Sequence, residues 1–125
     1  MRVGRPTDNL EKITQMYVDG LGFEVIGGFE NHRDFSGRMV GHPNHSYHLE
    51  FTTHSTEKAG RAPTKENLLV FYVPNEAEYK NAISRMNSSG FKKVQSFNPY
   101  WDGGAQTFED IDGYRVVISS GPSPF

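Results

Sequence analysis

A chain of 125 residues with a formal net charge of −2 has the length of one domain able to bury roughly two thirds of its unfolded surface. Its basic residues are scattered, which excludes the electrostatic footprint of a nucleic-acid binder. No apolar run nears the roughly 20 residues of a membrane span, and the N-terminus has no apolar signal-peptide core, so a cytoplasmic protein is expected.

Zero cysteines leave no disulfide, thiolate metal ligand or cysteine nucleophile, so any metal would use His, Asp, Glu, water or ligand oxygen. Thirteen Gly and seven Pro point to many turns and short strands rather than a helical bundle.

Met1 to Pro6 reads as a first strand, and Thr7-Asp8-Asn9 offers cap residues to a helix from Leu10 to Asp19. Leu10, Ile13, Met16 and Tyr17 follow the spacing of one helical face, and Gly20 and Gly22 are expected to stop it. Phe23 to Phe29 is a second strand with a bend or bulge at Gly27-Gly28. Glu30 to Asp34 is a polar turn, Phe35 to Gly41 a third strand, and His42-Pro43-Asn44-His45 turns into a fourth.

That fourth strand, Tyr47 to His54, alternates strictly. Tyr47, Leu49 and Phe51 belong to one face, while His48, Glu50, Thr52 and His54 belong to the other. The second set is either the floor of a polar site or an ordinary solvated sheet face.

Ser55 to Pro63 is polar and lies within an expected linker of residues 55–66. Asn67 to Val73 is a strongly apolar strand, and Pro74-Asn75-Glu76 starts a second helix whose inner face carries Tyr79, Ala82, Ile83 and Met86, with Gly90 at its end. Phe91 to Phe97, Ala105 to Glu109 and Tyr114 to Ser119 are strands, separated by the aromatic turn 98–104 and by Asp110-Ile111-Asp112-Gly113. The order strand, helix, three strands thus occurs twice, giving a module at 1–54, a second at 67–119 and a loose tail at 120–125.

This doubled βαβββ order resembles the vicinal oxygen chelate superfamily of glyoxalases, extradiol dioxygenases, fosfomycin-resistance enzymes and bleomycin-resistance proteins. The carrying residues are Asp8-Asn9-Leu10-Glu11-Lys12, Tyr17 to Phe23, Leu49-Glu50-Phe51, Gly90-Phe91 and Phe108 to Val117. The resemblance implies an α+β fold in which two modules cup a cavity, within one chain or across a homodimer.

In the family's enzymes one divalent metal is held by the first, fourth, fifth and eighth strands. Those positions fall here on Arg2, Glu50, Leu68 (or Asn67) and Val117. Arginine offers no lone pair, and leucine and valine have no donor atom. The glyoxalase and dioxygenase chemistries therefore do not carry over, and what remains resembles the metal-free, bleomycin-resistance-like use of the fold.

His48, Glu50 and His54 are too spread for one ion, because six residues of strand span roughly 20 Å. His42 and His45 read as solvated loop histidines. Strand parity lets Arg2 and Arg115 share the face of Glu50, either as an internal ion pair or as an anion site. Tyr100-Trp101 reads as a pocket wall or a dimer contact, and Tyr72 as a further wall or as packing.

The expectation is a cytoplasmic homodimer that binds a small organic molecule through Arg2, His48, Glu50, Tyr72, Tyr100, Trp101 and Arg115, with no need for a metal or other cofactor. Two alternatives stay open. One is a metal-dependent lyase or dioxygenase centred on Glu50 with His48, and the other is a non-catalytic interaction domain.

Overall fold

The computed structural model describes residues 1–125, which divide into two compact units, Met1–Gly60 and Arg61–Phe125. In the first, strands β1 (Arg2–Pro6), β2 (Glu24–His32), β3 (Phe35–Gly41) and β4 (His48–His54) accompany helix α1 (Leu10–Leu21). The sheet order is β1-β4-β3-β2, with β1 parallel to β4 and the other pairs antiparallel.

The second unit repeats this plan. Strands β5 (Leu68–Tyr72), β6 (Lys92–Val94), β7 (Ala105–Glu109) and β8 (Arg115–Ser119) accompany helix α2 (Glu76–Ser88), in the order β5-β8-β7-β6 with β5 parallel to β8. The α+β fold of two βαβββ modules is therefore what the chain adopts. Neither helix is long and apolar enough to cross a membrane.

In the first unit the apolar periodicity puts Ile13, Met16 and Tyr17 of α1 out of water, together with Val40, Leu49 and Phe51 of the sheet. Tyr17 and Phe51 meet ring to ring, with centroids 4.9 Å apart. In the second unit Ala82 and Met86 of α2 are buried, as are Phe108, Val116 and Ile118 of the sheet. Tyr79 and Ile83, expected on the same helical face, are only partly covered.

Several boundaries move for physical reasons. Helix α1 runs through Gly20, which is buried, and stops at Gly22, whose φ of 69° suits a glycine C-cap. Asn9 makes no side-chain cap. Thr7 Oγ1 accepts the Asn9 amide instead, while the Asp8 carboxylate accepts the amides of Ala59 at 2.8 Å and Gly60 at 3.0 Å. Those two bonds hold the Asp8 carboxyl below its ordinary range.

Strand β2 continues to His32, and the turn narrows to Arg33-Asp34, with positive φ at Asn31, Arg33 and Asp34. The register shift between Val25 and Gly27 is the bulge expected there. Strand β6 keeps only three residues. Beyond it, a 3-10 turn at Pro99–Asp102 is capped by Asn98, whose Oδ1 accepts the Tyr100 amide.

Candidate functional site

The alternation of β4 places His48 and Glu50 on the sheet face opposite buried Leu49 and Phe51, and the parallel register sets Arg2 beside His48 and Gly4 beside Glu50. Arg2 links the polar pair. Its Nε donates to His48 Nε2 at 2.9 Å, and its Nη1 donates to Glu50 Oε2 at 3.3 Å. A histidine that accepts at Nε2 carries its hydrogen on Nδ1, so the arginine also selects the imidazole tautomer.

The Glu50 side chain is 17% exposed and that of Arg2 is 50% exposed, so the guanidinium covers the carboxylate from the solvent side. A Cβ added at Gly4 would meet only Glu50 Oε1, at 4.0 Å, which leaves open space over this part of the floor. The unit thus presents a charge-balanced polar patch beside a gap that glycine keeps clear.

The other histidines are engaged elsewhere. His54 stacks edge-on against Phe35 with centroids 4.8 Å apart, and its Nδ1 accepts the amides of Thr56 and Glu57. His42 and His45 lie in the β3–β4 loop, where His45 stacks on Tyr47, and burial raises the Tyr47 phenol above its ordinary value.

In the second unit Arg115 is 5% exposed, and its donors are spent locally. Nε donates to Glu109 Oε2 at 3.2 Å and Nη1 to the Gln95 carbonyl at 3.2 Å. Glu109 also pairs with exposed Arg61 at 3.3 Å. This places Arg115 in an internal ion pair. Asp110 and Asp112 close the turn before β8, with Asp110 Oδ1 accepting the Asp112 and Tyr114 amides.

Tyr72, Tyr100 and Trp101 come together around a cavity of about 300 Å³ whose other lining includes Gly103, Ser119 and tail prolines. Trp101 also walls a second cavity of about 230 Å³ with Leu68, Phe97 and Thr107. The sequence reading missed Ser119 and the tail. Tyr72–Ser119 is a register pair of the parallel strands β5 and β8, so the doubled βαβββ order was the signal that pointed to Ser119. Pro122 and Pro124, expected to be loose, line the cavity.

A divalent ion of the kind the fold family implies does not fit these residues. Nowhere do three His, Asp or Glu side chains gather. Arg2 Nε already occupies the His48 lone pair and Nη1 holds Glu50 Oε2, while Leu68 and Val117 contribute no donor atom.

Residues 1–52 match the family model of the YycE-like N-terminal domain, and residues 66–120 that of the YycE-like C-terminal domain. The uncharacterised protein YycE of Bacillus subtilis strain 168 is 42% identical over 118 residues, covering 94% of this chain and 85% of that protein. A crystal structure of a Bacillus subtilis YycE protein of unknown function superposes with a TM-score of 0.89 at 40% identity, over 100% of this chain and 93% of that one.

Two more distant structures share the fold. The trypanothione-dependent glyoxalase I of Leishmania major gives a TM-score of 0.74 at 15% identity, over 96% and 84% of the two chains. The fosfomycin-resistance protein FosX of Mesorhizobium loti gives 0.73 at 13%, over 98% and 91%.

Proposed function

The chain belongs to the YycE-like family, within the vicinal oxygen chelate superfamily, and from that premise we propose that it binds a small organic molecule without a resident divalent metal. The observation that carries this reading is the Arg2 guanidinium, which hydrogen-bonds both His48 and Glu50. A fixed side-chain cation there balances the carboxylate that an ion would otherwise balance. Arg2, His48 and Glu50 form a polar binding surface in the first unit, and Tyr72, Tyr100 and Trp101 a separate aromatic one in the second. Arg115 supports the second sheet rather than the ligand.

The open cavities favour this reading over an interaction domain whose interior has closed. A lyase or dioxygenase centred on Glu50 and His48 would require Arg2 to release both donors and further ligands to come from a partner subunit or the substrate. A homodimer is part of the proposal. Its support is the exposure of Val25 and Ile26, 54% and 46%, on edge strand β2.

The test is a thermal-shift screen of small aromatic and anionic compounds, run in parallel with excess chelator and with added manganese, nickel or zinc. The reading predicts compounds that raise the melting temperature equally in both series. Stabilisation only when a divalent ion is present would overturn it.

A further inference from the structure

We propose that the cavity under Trp101 is a binding site for an uncharged, planar aromatic molecule, with the C-terminal tail as one of its walls. The inference deepens the small-molecule reading above by naming a ligand class and a place. It starts from an oddity of composition. Tyr100 is 67% exposed and stands edge-on to Trp101 at 4.8 Å, although two large rings at a surface turn forfeit the burial that would stabilise them in a core.

The turn that carries these rings is tied down at both ends. Asn98 accepts the Tyr100 amide through its side chain and the Trp101 amide through its carbonyl, and Ser96 Oγ donates to Asp102 Oδ1. Ser120 then donates both its amide and its hydroxyl to the Gly104 carbonyl, at 2.8 and 2.7 Å, fastening the start of the tail to the end of the turn. The backbone that carries the rings is thus held in place without a ligand, which lowers the ordering cost of binding one.

The chemistry of the lining selects the class. Tyr72, Tyr100 and Trp101 supply π-faces, Pro122 and Pro124 supply stiff apolar edges, and no charged side chain lines the cavity. A charged ligand would find no counter-charge among these residues. The Tyr72 and Ser119 side chains, neighbours across β5 and β8, make no intramolecular hydrogen bond and are free to meet one ether, carbonyl or hydroxyl on the ligand edge. The volume of about 300 Å³ sits at the small end of ligand pockets, roughly 300–1,000 Å³, which suits one or two fused rings.

Gly103 also lines the cavity. Its φ of −91° is available to any residue, and a Cβ there would meet nothing within 4 Å. A larger side chain there therefore adds bulk at the cavity wall without straining the backbone.

Trp101 is the only tryptophan, so its emission reports on this site alone. The probe is 7-methoxycoumarin, neutral and bicyclic, which accepts energy from tryptophan, with coumarin-3-carboxylate as the charged control. The proposal predicts saturable quenching of Trp101 with sensitised coumarin emission, at least tenfold weaker binding of the carboxylate, and at least tenfold weaker binding of the neutral probe to Gly103→Leu. Because Gly103 does not line the neighbouring cavity that Trp101 also walls, unchanged affinity in that variant overturns the assignment, as does the absence of saturation.

Thermal shifts recorded on the same samples and on the broader compound panel separate the two readings. Stabilisation by charged or saturated compounds with an unmoved Trp101 signal overturns the aromatic site and leaves small-molecule binding in place. No stabilisation by any compound overturns both.

Discussion

Replacing Arg2 by alanine removes the one cation that covers Glu50 and the donor that fixes His48. The cost follows from the exposure of the pair. An ion pair fully in water contributes about 0–1 kcal/mol, and breaking a fully buried one costs about 3–5 kcal/mol. With Arg2 half exposed and Glu50 at 17%, the loss falls between these, at about 1–2 kcal/mol including the bond to His48.

An unfolding entropy of about 2.1 cal/mol/K per residue gives a chain of this length about 0.26 kcal/mol/K, so the melting temperature should fall by roughly 4–8 °C. Glu50→Ala should cost about as much, because it strands the guanidinium over His48. The double variant should cost less than the sum of the two, by about 0.5–1 kcal/mol. The assay is reversible thermal or urea denaturation of the four proteins. Strict additivity would refute the claim that Arg2 and Glu50 act as one unit.

The same reasoning ranks the two arginines on Glu109: Arg115→Met, at a 6% exposed side chain, should cost about 2–4 kcal/mol in urea unfolding, and Arg61→Met, at 66% exposure, under about 1 kcal/mol. The carboxyl of Asp8 is depressed chiefly by the Ala59 amide and then by the Gly60 amide, so its contribution is present above the ordinary value of 3.8 and fades as pH falls through the lowered one. Exchange protection of those two amides should therefore persist near neutrality and be lost only in stronger acid, and loss at mildly acidic pH would contradict the assignment. Asn75→Ala should cost about 1 kcal/mol in stability, because Asn75 Oδ1 accepts the Glu78 amide at the start of α2. Gly22→Ala should cost about 1–2 kcal/mol, since φ there is 69°.

The elements most readable from sequence are those where one physical signal dominates. The boundaries of β3 and β7 match the expected Phe35–Gly41 and Ala105–Glu109, and the alternation of β4 placed Leu49 and Phe51 inside with His48 and Glu50 opposite. Local signals misled where tertiary contacts took over the same atoms. Asp8 looks like a helix cap but its carboxylate goes to amides 51 and 52 residues away, and Gly20 looks like a helix stop but is buried inside α1.

The same holds for the site. Strand parity predicted that Arg2 and Glu50 could share a face, and they do. Parity cannot tell which of two acidic neighbours an arginine selects, and Arg115 is bound to Glu109, its cross-strand partner. Ser119, at the end of β8, was signalled only by the pairing of β5 with β8, and no local pattern marks Pro122 and Pro124, three and five residues beyond that strand end, as a cavity wall.

If Arg2 stands where a divalent cation would otherwise sit, the native protein should hold no metal, and metal analysis is the direct test. Protein purified without a metal-affinity tag is dialysed against manganese, nickel and zinc in turn, then against buffer, and its metal content is measured by mass spectrometry. The account predicts no stoichiometric retention in the native protein. It also predicts measurable retention in Arg2→His, where a third donor joins His48 and Glu50. One ion per native chain, lost on Glu50→Ala, would contradict it.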